Sequence, residues 1–220
     1  MTITLILLAL IMFTVIGWLL RQSFNTQPWV ADPAADETTG KSLDVSTKAI
    51  GLATFLAVAA SLFALFISAY TLRMEEPDWV PITEPSLLWI NTAILVIASI
   101  VFQLARNAAM AGRDGQLRST LTISGLLTLA FLVGQLLAWR QLAETGAYQM
   151  SNPAYAFFYV LTAVHGLHML GGLWVWGRSA IRIWGGASAD SVRASVELCT
   201  IYWHFLLLVW AVLFGLLLST

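Results

Sequence analysis

The chain has 220 residues, 59% hydrophobic and 10% charged, with a formal net charge of −1 and a mean hydropathy of +0.79. Soluble domains carry about a quarter of their residues as Asp, Glu, Lys and Arg, so this composition excludes a soluble enzyme. The net charge by itself points to no partner, and no nucleic-acid partner is expected; the chain reads as an integral membrane protein.

A membrane-spanning helix needs about 20 mostly apolar residues, and six runs qualify, at about residues 3–20, 49–72, 86–106, 119–139, 154–177 and 198–218. A closed barrel would instead need alternating segments of about ten residues. These runs are continuous, which predicts an all-α, polytopic membrane helical bundle of six transmembrane helices.

The first run has no cation before it, since Met1-Thr2-Ile3-Thr4 carries none and Arg21 follows it. A secretory signal peptide begins with a positive segment, so the run reads as a retained anchor. Residues 21–47 are polar and turn-rich, with Pro28, Asp32, Pro33, Asp36, Glu37 and Gly40, and bury little. The expected organisation is therefore 1+5: an anchor helix at 1–20, a polar linker at 21–47 and a five-helix bundle at 48–220.

The second run carries Ala53, Ala57, Ala60, Ser61, Ala64 and Ser68, and the fifth carries Thr162, Gly166 and the Gly171-Gly172 pair. Small residues spaced this way let helices approach closely in lipid. After the second run comes an acidic loop with Glu75, Glu76, Asp78 and Glu84. Of the 11 Lys and Arg residues, only Arg73 and Arg140 fall on one side if six helices alternate across the bilayer. The positive-inside bias then sets both termini outside. Many of the ten tryptophans, Trp18, Trp79, Trp139 and Trp176 among them, stand near run ends, as an aromatic belt requires. Trp203 and Trp210 lie deeper and are expected to contact another helix. Cys199, the single cysteine, allows no internal disulfide and reads as a small buried hydrophobe.

All three histidines, His165, His168 and His204, fall inside the last two runs, where a titratable ring is a functional-site hypothesis by default. His165 and His168 are three apart and share a helix face. Counted from the inner ends of the runs, His168 and His204 agree in depth to within about a turn. The three rings are thus expected to meet in the inner half of the bilayer, near Glu197 at the mouth of the last span. Two histidines on one helix face cannot clamp a haem between them, although one of them with His204 could. Metal or haem ligation, a proton relay and plain interhelical hydrogen bonding all remain open to these residues.

The motifs around the histidines resemble those of subunit III of the haem-copper oxidases, the cytochrome c and quinol oxidase family. One helix of that family carries a stretch close to T-G-x-H-G-x-H-V-x-x-G, matched by Thr162-Ala163-Val164-His165-Gly166-Leu167-His168-Met169-Leu170-Gly171-Gly172. Its last helix opens with E-x-x-x-x-Y-W-H-F-V-D-x-x-W, matched by Glu197, Tyr202-Trp203-His204-Phe205-Leu206-Leu207 and Trp210. Asn91-Thr92 and Gln135 fall on further family segments, so that the likeness spans about residues 48–220.

The resemblance implies a non-catalytic subunit with no cofactor or metal of its own, beside a subunit I that holds haem and copper, with subunit II in the same complex. It implies an inner (cytoplasmic) membrane location, bound phospholipid, sustained activity of the catalytic subunit and support of proton uptake. By analogy His165, His168, Glu197, His204, Arg178 and Arg182 are candidates for lipid-headgroup and interhelical contacts. Three carboxylates of the family pattern are replaced, by Ala59, Ala138 and Leu207, which argues against proton chemistry within this subunit. Competing readings are an accessory subunit of nitric oxide reductase, which shares the fold, and a haem-bearing membrane protein using His204. A transporter ranks lower, since no inverted repeat or broken helix pair marks a substrate site.

Overall fold

The computed structural model describes residues 47–82, 85–144 and 152–219; the first predicted span and the polar linker lie outside them. The described residues form five helices: α1 (Thr47–Arg73), α2 (Leu87–Met110), α3 (Asp114–Glu144), α4 (Pro153–Trp184) and α5 (Ala189–Leu218). All five are long and apolar enough to cross a membrane. Internal contacts divide the chain between Ser68 and Ala69. The described part of the first unit is the N-terminal stretch of α1, where Thr54 and Ser61 return their hydroxyls to the carbonyls of Ile50 and Ala57.

In the second unit α2, α3, α4 and α5 close a ring: α2 packs on α3, α3 on α4, α4 on α5, and α5 back on α2. Short connections force neighbours to run antiparallel. Gly112 and Gly186 make the two tight turns possible, with φ of 65° and 92°, values that a side chain would strain. Asp114 accepts a hydrogen bond from the Ala189 backbone N–H at 2.8 Å, tying the α2–α3 turn to the start of α5. At the opposite end Asn152 caps α4 through Ala154 N–H at 3.1 Å. The same side chain donates to the Val80 carbonyl at 2.8 Å, anchoring the segment that follows α1.

The helices overrun the apolar runs at the arginine-rich end. Residues past Arg106 continue α2, and α5 starts at Ala189, well before the expected 198. The cause is a compact cluster of Ala105, Ala108, Ala109, Leu117, Leu121, Ile183, Ala189, Val192 and Val196. It keeps these extensions packed past the point where the apolar runs end. This end carries Arg113, Arg118, Arg178, Arg182 and Arg193, whereas Arg73 and Arg140 stand at the other.

The interior is closed by aromatic rings lodged over glycines. A Cβ on Gly125 would lie 2.1 Å from the Trp176 ring, and one on Gly172 would lie 2.6 Å from Tyr202. The expected depth of Trp203 and Trp210 is borne out, since both are fully buried. Their indole N–H groups donate to Thr128 at 3.1 Å and to Thr92 at 2.9 Å.

Candidate functional site

Glu197, Thr200 and His204 recur at helical spacing along one face of α5, and that face meets α2. Opposite them on α2 stand Ser99, Gln103 and Arg106. Arg106 Nη2 lies 2.6 Å from Glu197 Oε1, joining the two helices by an ion pair with both side chains about a third exposed, at 31% and 38%. Thr200 donates to the Phe102 carbonyl at 3.2 Å. His204 is held on both ring nitrogens, with Nδ1 2.5 Å from Ser99 Oγ and Nε2 3.2 Å from Gln103 Oε1.

The hydrogen-bond chain favours one tautomer. Gln103 Nε2 donates to Asn107 Oδ1 at 3.3 Å, so its Oε1 faces His204 and can only accept. With the Gln103 amide in that orientation, Nε2 of the imidazole carries the proton and Nδ1 accepts from the Ser99 hydroxyl. The ring's single lone pair is thereby committed to Ser99. His204 in this arrangement is a tie between helices.

The other two histidines have different surroundings. His165 is fully buried, with its ring 5.9 Å from that of Phe131 on α3 and 5.2 Å from that of Trp210 on α5. His168 is partly buried and donates from Nδ1 to the Val164 carbonyl, one turn back, at 2.8 Å. Its own carbonyl accepts the Tyr202 hydroxyl at 2.8 Å, which joins α4 to α5.

The expected meeting of three rings near Glu197 is not what forms. Among the described residues no three His, Cys, Asp or Glu side chains come together in a metal-holding group. The depth argument was sound, because His168 and His204 both sit midway along their helices. What it lacked was direction: His204 faces α2, while His165 faces the interior. Glu197 is also not at a helix mouth but about two turns inside α5. Arg178 and Arg182 are exposed at the arginine-rich end, and Arg182 Nη2 reaches the Ser191 carbonyl at 3.4 Å.

Arg106, Ser99 and Gln103 were missed as site residues. Their signal was present as polar positions at i, i+4 and i+7 within an apolar run, which places them on one helix face. Of the replaced carboxylate positions, Ala138 is fully buried in α3, where an unpaired carboxylate would be costly.

Comparisons with known proteins point to one family. The family model for cytochrome c oxidase subunit III matches residues 8–218, and so takes in most of the N-terminal run that the motif likeness left out. A cytochrome c oxidase subunit 3 from Synechocystis is 32% identical over 173 residues, covering 74% of this chain and 72% of the relative. A probable cytochrome c oxidase subunit 3 from Nocardia farcinica is 31% identical, covering 76% and 82%. A cytochrome bo(3) ubiquinol oxidase subunit 3 from Pseudomonas aeruginosa is 27% identical, covering 73% and 78%. With its helical bundle, its two histidine-bearing helices and a family match over nearly its whole length, the chain belongs to the cytochrome c oxidase subunit III family.

Proposed function

We propose that the chain is the non-catalytic subunit of a respiratory oxidase complex, holding phospholipid and stabilising the catalytic subunit beside it. The observation that carries this reading is how its polar membrane residues are used. Glu197, His204 and the His168 carbonyl are all spent on helix-to-helix bonds, the chemistry of a scaffold. Subunits I and II are the partners, and haem and copper belong to the partner. Arg178 and Arg182, exposed at the arginine-rich end, suit phosphate headgroups there, because guanidinium pairs with phosphate in a two-pronged manner.

In this reading the protein sits in the inner (cytoplasmic) membrane as six helices in a 1+5 arrangement. Both termini lie outside and the arginine-rich end inside, as the charge bias favours. Gentle purification of the complex tests the reading. His168→Ala should leave the haem spectrum of the complex intact while lowering retained phospholipid or hastening activity loss during turnover. Unchanged lipid content and unchanged durability would reject the lipid-holding role. A haem spectrum from the isolated chain that vanishes in His204→Ala would reject the scaffold reading as a whole.

A further inference from the structure

Gln135 lies inside the bundle, only 4% exposed, and none of the contacts described above uses its amide. It stands on the buried stripe of α3, where Phe131, Gly134, Gln135 and Ala138 recur at i, i+3, i+4 and i+7. Four such positions form the hole into which a neighbouring helix sets a side chain. Asn91 of α2, itself buried, fills it. Its Nδ2 donates to the Phe131 carbonyl at 3.4 Å, and its Oδ1 crowds the place that a Cβ on Gly134 would take. The Phe131 carbonyl is also the one to which Gln135 returns its own backbone N–H along the helix. Asn91 and Gln135 are thus neighbours across the α2–α3 contact.

Three atoms of this pair, Asn91 Oδ1, Gln135 Oε1 and Gln135 Nε2, are buried and have no hydrogen-bond partner among the described residues. Hydroxyls in the same half of the bundle are already occupied. That of Thr92 donates to the Leu88 carbonyl at 2.8 Å and accepts from the Trp210 indole at 2.9 Å. That of Thr162 donates to the Phe158 carbonyl at 2.7 Å and accepts from the Trp139 indole at 3.0 Å. An unpaired amide is costly in an apolar interior, and most of all within the hydrocarbon region, where bulk water cannot reach it. Buried polar side chains in folded proteins accordingly bond to protein or to ordered water.

We infer that a water molecule is bound between Asn91 and Gln135, as an internal bridge from α2 to α3. It donates to Asn91 Oδ1 and also meets the Gln135 amide. In one orientation of that amide the water accepts from Nε2; in the other it donates to Oε1. The two amides supply the polar partners that a buried water needs. The occupant is uncharged because its surroundings are: α2 has no charged residue before Arg106, and α3 has none between Arg118 and Arg140. An ion there would be buried without a counter-charge. It is also small, because the site faces the packed interior. Phe131, Ala138 and Trp210 are fully buried, and the Phe131 and Trp210 rings meet at 5.1 Å. The inference goes beyond the scaffold reading and holds whether or not the chain retains phospholipid.

Electron cryomicroscopy of the purified complex, at a resolution that shows ordered solvent in the protein interior, tests it. The wild-type map should hold one compact solvent peak about 2.7–3.2 Å from both Asn91 Oδ1 and an atom of the Gln135 amide. Gln135→Leu should abolish that peak while the Asn91 bond to the Phe131 carbonyl stays in place. Gln135→Met, unbranched and close to glutamine in shape, should do the same and serves if leucine does not fit. A wild-type map that resolves other buried solvent but shows no peak here would overturn the inference. So would a direct hydrogen bond between the Asn91 and Gln135 side chains, or an elongated density that marks an organic molecule. A peak that persists in the Gln135 variants would give the water to other partners and overturn it too.

Discussion

The α2–α5 seam and the interior between α3, α4 and α5 are both helix contacts in the same bundle, but they are closed by different chemistry. The seam is a ladder of polar ties, running from Arg106–Glu197 through Thr200 to His204 with Ser99 and Gln103. The interior is closed by shape, with Trp176 over Gly125 and the Tyr202 and Trp203 rings over Gly172. The same residue type is used both ways: His165 is an aromatic plate between Phe131 and Trp210, and His204 is a two-sided hydrogen-bonding group. In lipid no water-driven force pulls helices together, so association rests on packing and polar ties. The seam relies on polar ties, whereas the interior relies first on shape, with ties such as Trp203 to Thr128 and Tyr202 to the His168 carbonyl added to it. Shape contacts fail steeply when a few atoms are added, whereas polar ties fail by small steps, so the two regions should respond differently to substitution.

The largest effect is expected in the interior. Gly125→Val puts atoms into the Trp176 ring, whose indole N–H is pinned to the Leu121 carbonyl at 3.0 Å, so the ring cannot simply turn aside. Overpacking of this kind should cost about 3 kcal/mol, read as thermal stability of the detergent-solubilised chain. Gly115→Ala in the same helix meets nothing within 4 Å and should stabilise by about 0.5–1 kcal/mol. If the two glycine variants behave alike, the interior is not held by shape. His165→Ala should come next, at about 2 kcal/mol, because a fully buried ring leaves a cavity whose lining loses its contacts.

The depth of these elements was legible in the sequence and their direction was not. Counting apolar residues located five helices now described and put Trp203 and Trp210 inside the bundle. Spacing along one helix says which side chains share a face, but not which neighbouring helix that face will meet. For that reason His165 and His204 were expected together and are found apart. Helix ends were misjudged for a related reason: an apolar run stops where charge begins, while a helix continues for as long as it can pack. The Val192 and Val196 side of α5 is buried against such a cluster, which draws Glu197 into the helix and gives it Arg106 as a partner. The sequence showed Arg106 as one of many cations at that end, and only the α2–α5 contact distinguishes it from Arg113 or Arg118.

On the polar side, Glu197→Ala should cost about 1–2 kcal/mol, between the values for exposed and for buried pairs, because both partners are partly exposed. A double-mutant cycle with Arg106→Ala should recover about 1 kcal/mol of coupling. His204→Ala removes two hydrogen bonds and should cost about 1 kcal/mol, in line with interhelical ties in other membrane bundles. A cost near that of Gly125→Val would mean that the seam, rather than the packed interior, carries the fold.

The smallest effect belongs to a tie outside both regions, and its sign can be worked out. Asp78 sits in the connection after α1 and receives a two-pronged hydrogen bond from Arg73, with Nη1 2.6 Å from Oδ1. That hydrogen bond, more than the attraction of the charges at a distance, holds the Asp78 carboxyl below its usual value. A carboxylate whose folded pKa is depressed adds stability that is fully present above its unfolded value, near 3.9. The contribution fades as pH falls through the folded value. Both partners are exposed to solvent, so salt screens the pair and the gain is slight. Thermal stability of wild type and Asp78→Asn should therefore differ a little at pH 7 and converge as the pH is lowered below about 4. The difference should shrink again at pH 7 when salt is raised. A gap that persists in acid would mean that Asp78 acts through its shape in the turn after α1, as the interior glycines do, and not through its charge.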